Sequence, residues 1–189
     1  MAVLQAPKSV AGSGPRITEL APKGTYLATI LDIVDKFGVE RPKYDNPTEI
    51  EKLDITTFVF GFKNKEGKLY LVKTGDSPIT AMRISNGEKA KLRGFLTQLT
   101  GEVPKDGWDY CELKGSGAQI TVAHKESKKT GNPYAVVASV APVMEEVKDK
   151  VLPVSAFSAL LEGGEAAAPA KATAPVAVVE EDEDGDAPF

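Results

Sequence analysis

Apolar positions along this chain follow two rhythms. Five segments run at a period of two or are apolar on both faces, and one runs at helical spacing. Tyr26–Asp35 (YLATILDIVD) is rich in β-branched residues and apolar on both faces, as expected for a strand covered on both sides in a small barrel. Leu53–Phe62 (LDITTFVFGF) and Lys68–Thr74 (KLYLVKT) flank Asn64-Lys65-Glu66-Gly67, a hairpin signal. Ala118–Lys125 alternates cleanly, with Ala118, Ile120, Val122 and His124 on one face. The turn ESKKTGNP then leads into Tyr134–Val140 (YAVVASV), a second hairpin.

The helical segment carries Leu92, Phe95, Leu96 and Leu99 at i, i+3, i+4, i+7 spacing. Ser85 and Glu88 form an S-x-x-E capping box that predicts its start, and Gly101 predicts its end. Lys89 and Arg93 fall on another face and read as solvated. Residues 36–52 (KFGVERPKYDNPTEIEK) read as a long polar loop, 102–117 as irregular, and PVSAFSALLEG as a short helix. Strand, long loop, hairpin, helix, hairpin predicts an all-β domain with one main helix. That order fits a five-stranded Greek-key barrel of the OB type, with the helix between strands three and four.

The Phe58, Phe60, Phe62 row fits either a base-stacking platform or a core stripe. A four-residue turn would set Phe62 opposite Leu69 and Phe60 opposite Leu71, an apolar cluster. In that register Tyr70 lies on the other face, as a stacking candidate.

Charge divides the chain. Residues 1–144 carry 20 Lys and Arg against 16 Asp and Glu, a net of +4. Residues 145–189 carry 3 against 11, a net of −8, so the overall −4 hides a mildly basic body. The organisation predicted is a flexible N-terminal arm (1–23), a barrel domain (24–144), a charged segment with a short helix (145–161), an Ala/Pro linker (162–179) and an acidic tail (180–189). The tail cannot bury apolar surface and repels itself, so it stays disordered. It comprises Glu180, Glu181, Asp182, Glu183, Asp184, Asp186 and the apolar tip Pro188-Phe189. An apolar tip with its own carboxylate suits a partner pocket rimmed by Lys or Arg.

One cysteine (Cys111) and one histidine (His124) exclude an intrachain disulfide and a tetrahedral Cys/His zinc site. The N-terminal residues lack the long apolar core of a signal peptide, and no run is long enough to span a membrane. Cytoplasmic location is expected. An enzyme would need clustered carboxylates or a nucleophile with its base. Asp32, Asp35 and Asp54 are suggestive, but nothing places them together. The expectation is a binding protein with no catalytic residue, metal or cofactor.

Binding candidates come from the barrel's expected ligand surface: strands two and three, the loop between one and two, and the loop between four and five. These regions hold Lys36, Arg41, Lys43, Lys63, Lys65, Lys68, Lys73, Lys125, Lys128 and Lys129, with Tyr44, Tyr70 and Trp108 as stacking aromatics. A groove tracking a phosphate backbone needs cations spread along it and flat side chains between them.

The stretch SNGEKAKLRGFLTQLTGEVP, with Lys91-Leu92-Arg93, Phe95-Leu96 and Gly101, resembles the helix of phage single-stranded-DNA-binding proteins. LKGSGAQITVAHKESKKTGNPYAVVASVAPV resembles their last hairpin, and the acidic tail ending in Phe resembles theirs. The likeness covers roughly 24–142 plus the tail. It implies protection of single-stranded DNA in phage replication, recombination and repair, with the tail recruiting replication partners such as a polymerase, helicase/primase or nuclease. The chain lacks the N-terminal strand pattern of bacterial members, so their tetramer does not carry over and a homodimer stays open. The alternatives are a barrel adaptor that binds protein rather than DNA, and a recombination strand-annealing protein. From residue 162 onward the chain spans roughly 29 Å r.m.s., enough to reach the groove of a body with a radius of gyration of about 15 Å.

Overall fold

A computed structural model describes residues 19–162 apart from 44, 45, 47, 76–79, 86 and 128–130. Among them, six strands form one antiparallel sheet: β1 (Gly24–Pro42), β2 (Ile50–Lys63), β3 (Leu69–Lys73), β4 (Met82–Arg83), β5 (Gly117–Glu126) and β6 (Pro133–Ala141). Five follow in the order β3-β2-β1-β5-β6. The sixth, β4, pairs Met82 with Thr56 and Arg83 with Ile55 on β2. The expected five strands are therefore six. Four successive antiparallel pairings make β3 and β6 run parallel to each other. Their Cα atoms come within 8 Å, yet no ladder joins them among the described residues, so the sheet is open along this seam.

Strand β2 is the centre of the sheet. Every residue from Ile55 to Phe62 is buried, so the strand is covered on both faces. Thr56, Phe58, Phe60 and Phe62 face the main core. There they meet Ile30 and Ile33 of β1, Val72 of β3 and Ile120 of β5. The main helix, α1 (Lys91–Thr100), packs across β4 and β6 and drives Leu92, Leu96 and Leu99 into the same core. Phe95 lies 5.0 Å from Phe58, centroid to centroid. The Phe row is therefore core.

The hairpin register differs by one residue from expectation. Phe62 pairs with Tyr70 and Phe60 with Val72, not with Leu69 and Leu71. The cause is the turn. Asn64 N–H donates to the Lys68 carbonyl, and Asn64 Oδ1 accepts from the N–H groups of Glu66 and Lys68, leaving a three-residue loop. Gly67, at φ +87°, supplies the left-handed residue that this loop requires. A one-residue slip exchanges faces, so Tyr70 joins the Phe face while Leu69 and Leu71 point outward.

The long loop of 36–52 is a second correction. β1 continues to Pro42 and β2 begins at Ile50, so these residues build a two-stranded ribbon extending from the body. Arg41 pairs with Glu51 and Glu40 with Lys52 along its ladder. Register shifts near Leu31 and at Phe37–Gly38 let the long strand bend.

Helix α1 starts at Lys91 with Ala90 as an uncapped N-terminal residue, not at Ser85. The Ser85 hydroxyl instead accepts a long bond from Gly87 N–H, and Ala90 N–H closes a turn onto Gly87. Glycine disfavours helix, and the Ser85–Glu88 capping box does not form. Gly101 ends the helix as expected.

The outer face of β2 is covered by the segment after β6. Residues Val154–Phe157 form a 3₁₀ turn running into the one-turn helix α2 (Ser158–Leu161). Phe157 is fully buried against Leu31 and Leu71, with Leu69, Leu152, Val154, Leu160 and Leu161 around it. Thr29 donates its hydroxyl to the Leu152 carbonyl. Gly61 makes the seat: a Cβ there would lie 2.6 Å from Leu31 Cδ1 and 2.7 Å from the Phe157 ring.

Gly61→Ala is expected to destabilise the fold by about 1–3 kcal/mol, the usual cost of overpacking, read as a lower urea midpoint. In a Phe157→Ala background the penalty should shrink, because the two sites share one contact. Additive effects would show that the ring does not set the limit at Gly61.

Candidate nucleic-acid interface

The ladder register divides the predicted cations into two groups. The turn between β2 and β3 and the turn between β5 and β6 lie at the same end of the sheet, either side of the start of β1. Lys63, Lys65, Lys68 and Lys125 stand there. Lys36, Arg41 and Lys43 lie toward the opposite end. Lys36 pairs with Ile55, eight residues along β2 from Lys63, a separation of roughly 26 Å at 3.3 Å per residue. Lys73 pairs with Val59, between the two groups. Lys128, Lys129 and Tyr44 lie outside the described residues, as does the whole tail from Glu180 to Phe189.

The ribbon's cations are mostly spoken for. Arg41 Nε lies 2.7 Å from Glu51 Oε1, Lys43 pairs with Glu49, and Lys52 lies 3.5 Å from Glu40. Residues 36–52 hold four cations and four carboxylates, so the ribbon is neutral overall. Lys36, Lys63, Lys65 and Lys125 form no ion pair with another described residue. A phosphate can approach these four without displacing a carboxylate.

The three predicted aromatics have distinct settings. Tyr70 is half-buried and stacked on Phe62 at 5.7 Å, and Lys68 Nζ lies 5.5 Å from its ring centre. Tyr26 stacks on Phe62 at 4.2 Å, so the three rings form a ladder at one end of the core. Trp108 is half-buried against the core and donates its indole N–H to Glu112 Oε2 at 3.3 Å. It precedes the 3₁₀ turn Tyr110–Leu113, which packs at the Phe58 end of β2, so the fold does not bring Trp108 beside Tyr70. Among the described residues, the large aromatics left exposed are Phe37 (49%) and Tyr134 (37%). Tyr134 is absent from the predicted set. The available signal was its position directly after the lysine-bearing turn, opposite Lys125 in the ladder.

Between β3 and β6 lies a half-open cleft of about 360 Å³. Leu71, Val72 and Lys73 form one wall, and Pro133 to Val136 the other. Glu19 and Leu20 close one end. Glu19 is ion-paired with Lys68, while the Ala21 carbonyl meets His124 Nε2 at 2.7 Å. A carbonyl only accepts, so Nε2 carries the hydrogen and His124 ties the incoming chain to β5.

The titratable groups of the interior serve structure. Asp35 is buried (1% exposed) and accepts from the Tyr110 hydroxyl at 3.0 Å. Its Oδ2, and the hydroxyl of its ladder partner Thr56, lack a hydrogen bond by geometry. Burial pushes the Asp35 carboxyl above its ordinary range, against the opposing influence of the Thr56 and Tyr110 hydroxyls. Burial likewise raises Tyr110, and pushes the Cys111 thiol up to about 12 with the help of Asp35, so the thiol is protonated and poorly nucleophilic at neutral pH. Asp32 pairs with Lys114 and Asp54 accepts from Gly38 N–H, so the three suggestive acids have separate duties. Among the described residues no three of His, Cys, Asp or Glu are grouped to hold a metal ion, and no helix is long and apolar enough to cross a membrane.

No family model and no curated protein matches the sequence.

Asp35 makes stability pH-dependent in a definite direction. Its folded pKa exceeds its unfolded one, so its contribution is full below the unfolded value of about 3.9 and is lost as pH rises through the folded value. Asp35→Asn should gain stability relative to the parent across that rise and then level off, as measured by urea unfolding at a series of pH values. A difference that does not change with pH would show that the carboxyl is unperturbed.

Proposed function

We propose that this chain binds single-stranded DNA with little sequence preference, coating it during replication and recombination. One observation carries this reading. Lys63, Lys65 and Lys125, which have no ion pair with a described residue, stand at one end of the sheet, and the exposed Tyr134 ring lies beside an open seam at that end. Cations spaced along a path, with an aromatic face among them, are what a flexible single strand needs for phosphate neutralisation and base stacking.

The strand order supports an OB-type barrel opened along one seam. Five longer strands run β3-β2-β1-β5-β6, with α1 between β3 and β5 in the chain and the outer two parallel across the gap. The outer face of β2 and β3 is not free to take bases where Phe157 sits, so the strand passes along the seam and its flanking turns. A ligand reaching Lys36 as well covers roughly 26 Å, within the 4–16 nucleotides that one such fold occupies. The tail, with six carboxylates in Glu180–Asp186, competes with DNA for the cations and recruits replication partners.

The ribbon favours a second reading at its own end of the sheet. It is neutral, and it exposes Phe37 and Ile50 (65%), which suits contact with a protein.

Titration against single-stranded and duplex DNA at two salt concentrations tests the main reading. Tighter binding to the single strand that weakens with salt is expected; equal affinity for both forms, or no salt effect, overturns it. Lys63→Glu and Lys65→Glu should each weaken binding and reduce the salt slope by about 1. Arg41→Ala and Lys43→Ala should do less, since both cations are already paired. Deleting Glu180–Phe189 should tighten DNA binding; a weakened deletion variant would refute the competition between tail and DNA.

A further inference from the structure

The seam between β3 and β6 has a more specific use. We propose that its cleft receives one unstacked nucleobase of a bound single strand, with Tyr134 as the stacking surface and Lys73 at the adjoining phosphate. The inference rests on the single-strand reading above and locates within it where a base is gripped.

Four features support this. First, the volume of about 360 Å³ falls within the roughly 300–1,000 Å³ of small-molecule sites, and the cleft is open on one side, as a base still attached to its chain requires. Second, the lining is mixed: Leu20 and Val136 are apolar, Lys73 is cationic and Thr80 is polar. Third, each wall is a strand laddered on one side only. β3 pairs with β2 and β6 with β5, and among the described residues neither has a partner across the gap. A one-sided strand presents N–H and C=O groups along its free edge. Donors and acceptors side by side can meet the edge of any base, which fits binding with little sequence preference. Fourth, Tyr134 is exposed, makes no ring contact with another described residue, and stands opposite Lys125 in the ladder.

An added peptide strand is the other occupant that free edges can take. Only Leu71, Val72 and Lys73 of β3 line the cleft, shorter than the five or six residues of an ordinary strand. Glu19 and Leu20 already cross one end. A single flat ring suits this slot better than an extended chain.

The test uses the full-length protein and fluorescein-labelled oligothymidylate, beside an oligomer of the same length whose sugars carry no base. Tyr134→Ala should weaken oligothymidylate binding about 5- to 150-fold, the range of one lost base stack. Tyr134→Phe should stay within about threefold, since the ring is kept. The abasic oligomer should bind the parent and Tyr134→Ala alike, and the salt slope should not change, because the phosphate contacts remain. Urea unfolding checks that Tyr134→Ala is folded, as expected for a partly exposed side chain. If Tyr134→Ala binds oligothymidylate like the parent, or loses affinity for the abasic oligomer equally, the base pocket is refuted while single-strand binding stands. If the parent binds neither oligomer, both readings fall. Crowding the cleft with Val136→Trp provides a second check: it should reproduce the loss on oligothymidylate, and unchanged binding by a folded Val136→Trp protein also refutes the pocket.

Discussion

Burying β2 on both faces is the constraint from which the rest of the fold follows. A strand with no exposed residue from Ile55 to Phe62 needs two separate covers. The aromatic core beneath α1 supplies the first. The second comes from sequence far away, the segment that seats Phe157 on Gly61. Without that cover, Leu31, Gly61 and Leu71 would present an apolar stripe to water. Aligned with the expected ligand surface, such a stripe would look like a platform for bases. Covered, it is withdrawn from solvent, while the described cations of the turns and the gap between β3 and β6 stay open. Packing at the back of the sheet thus decides which face meets water.

Much of this was legible in the sequence. Alternation at Ala118–Lys125 and the helical spacing of Leu92, Leu96 and Leu99 correspond to strand and helix, because each element has one wet face and one dry face. The residues that misled did so for local reasons. Asn64 closes a three-residue turn where four were counted, and that single residue moved Tyr70 from one face to the other. Pro42 and Asn46 made 36–52 look like a loop, yet charge pairs such as Arg41–Glu51 hold a ladder that has no hydrophobic period to reveal it. The Ser85–Glu88 signature spans Gly87, where the chain turns instead of winding.

The candidate site was less legible than the fold. A lysine in a sequence looks the same whether it meets solvent or a glutamate. Lys43 and Lys63 look alike in the sequence, yet Glu49 stands beside one and no described carboxylate beside the other. Tyr134 poses a related problem. It shares its parity with the buried Val136 but stands at the exposed end of β6, and alternation along a strand does not show where burial stops. Burial and pairing are properties of the assembled sheet, and they separate a lysine held by a carboxylate from one that meets none among the described residues.

The 19 residues of β1 belong to two mechanical regimes. From Gly24 to Asp35 the strand lies within the sheet over the core. From the irregularity at Phe37–Gly38 onward it has the β2 ladder alone, and its residues are exposed or half-buried, starting with Phe37 itself. An isolated two-stranded ribbon is marginal in water, so its backbone hydrogen bonds open at a far lower free energy than those of the body. One continuous strand therefore runs from amides bonded over a buried core to amides bonded in an exposed ribbon. The ribbon can fray and re-form about its base while the strand that carries it stays fixed.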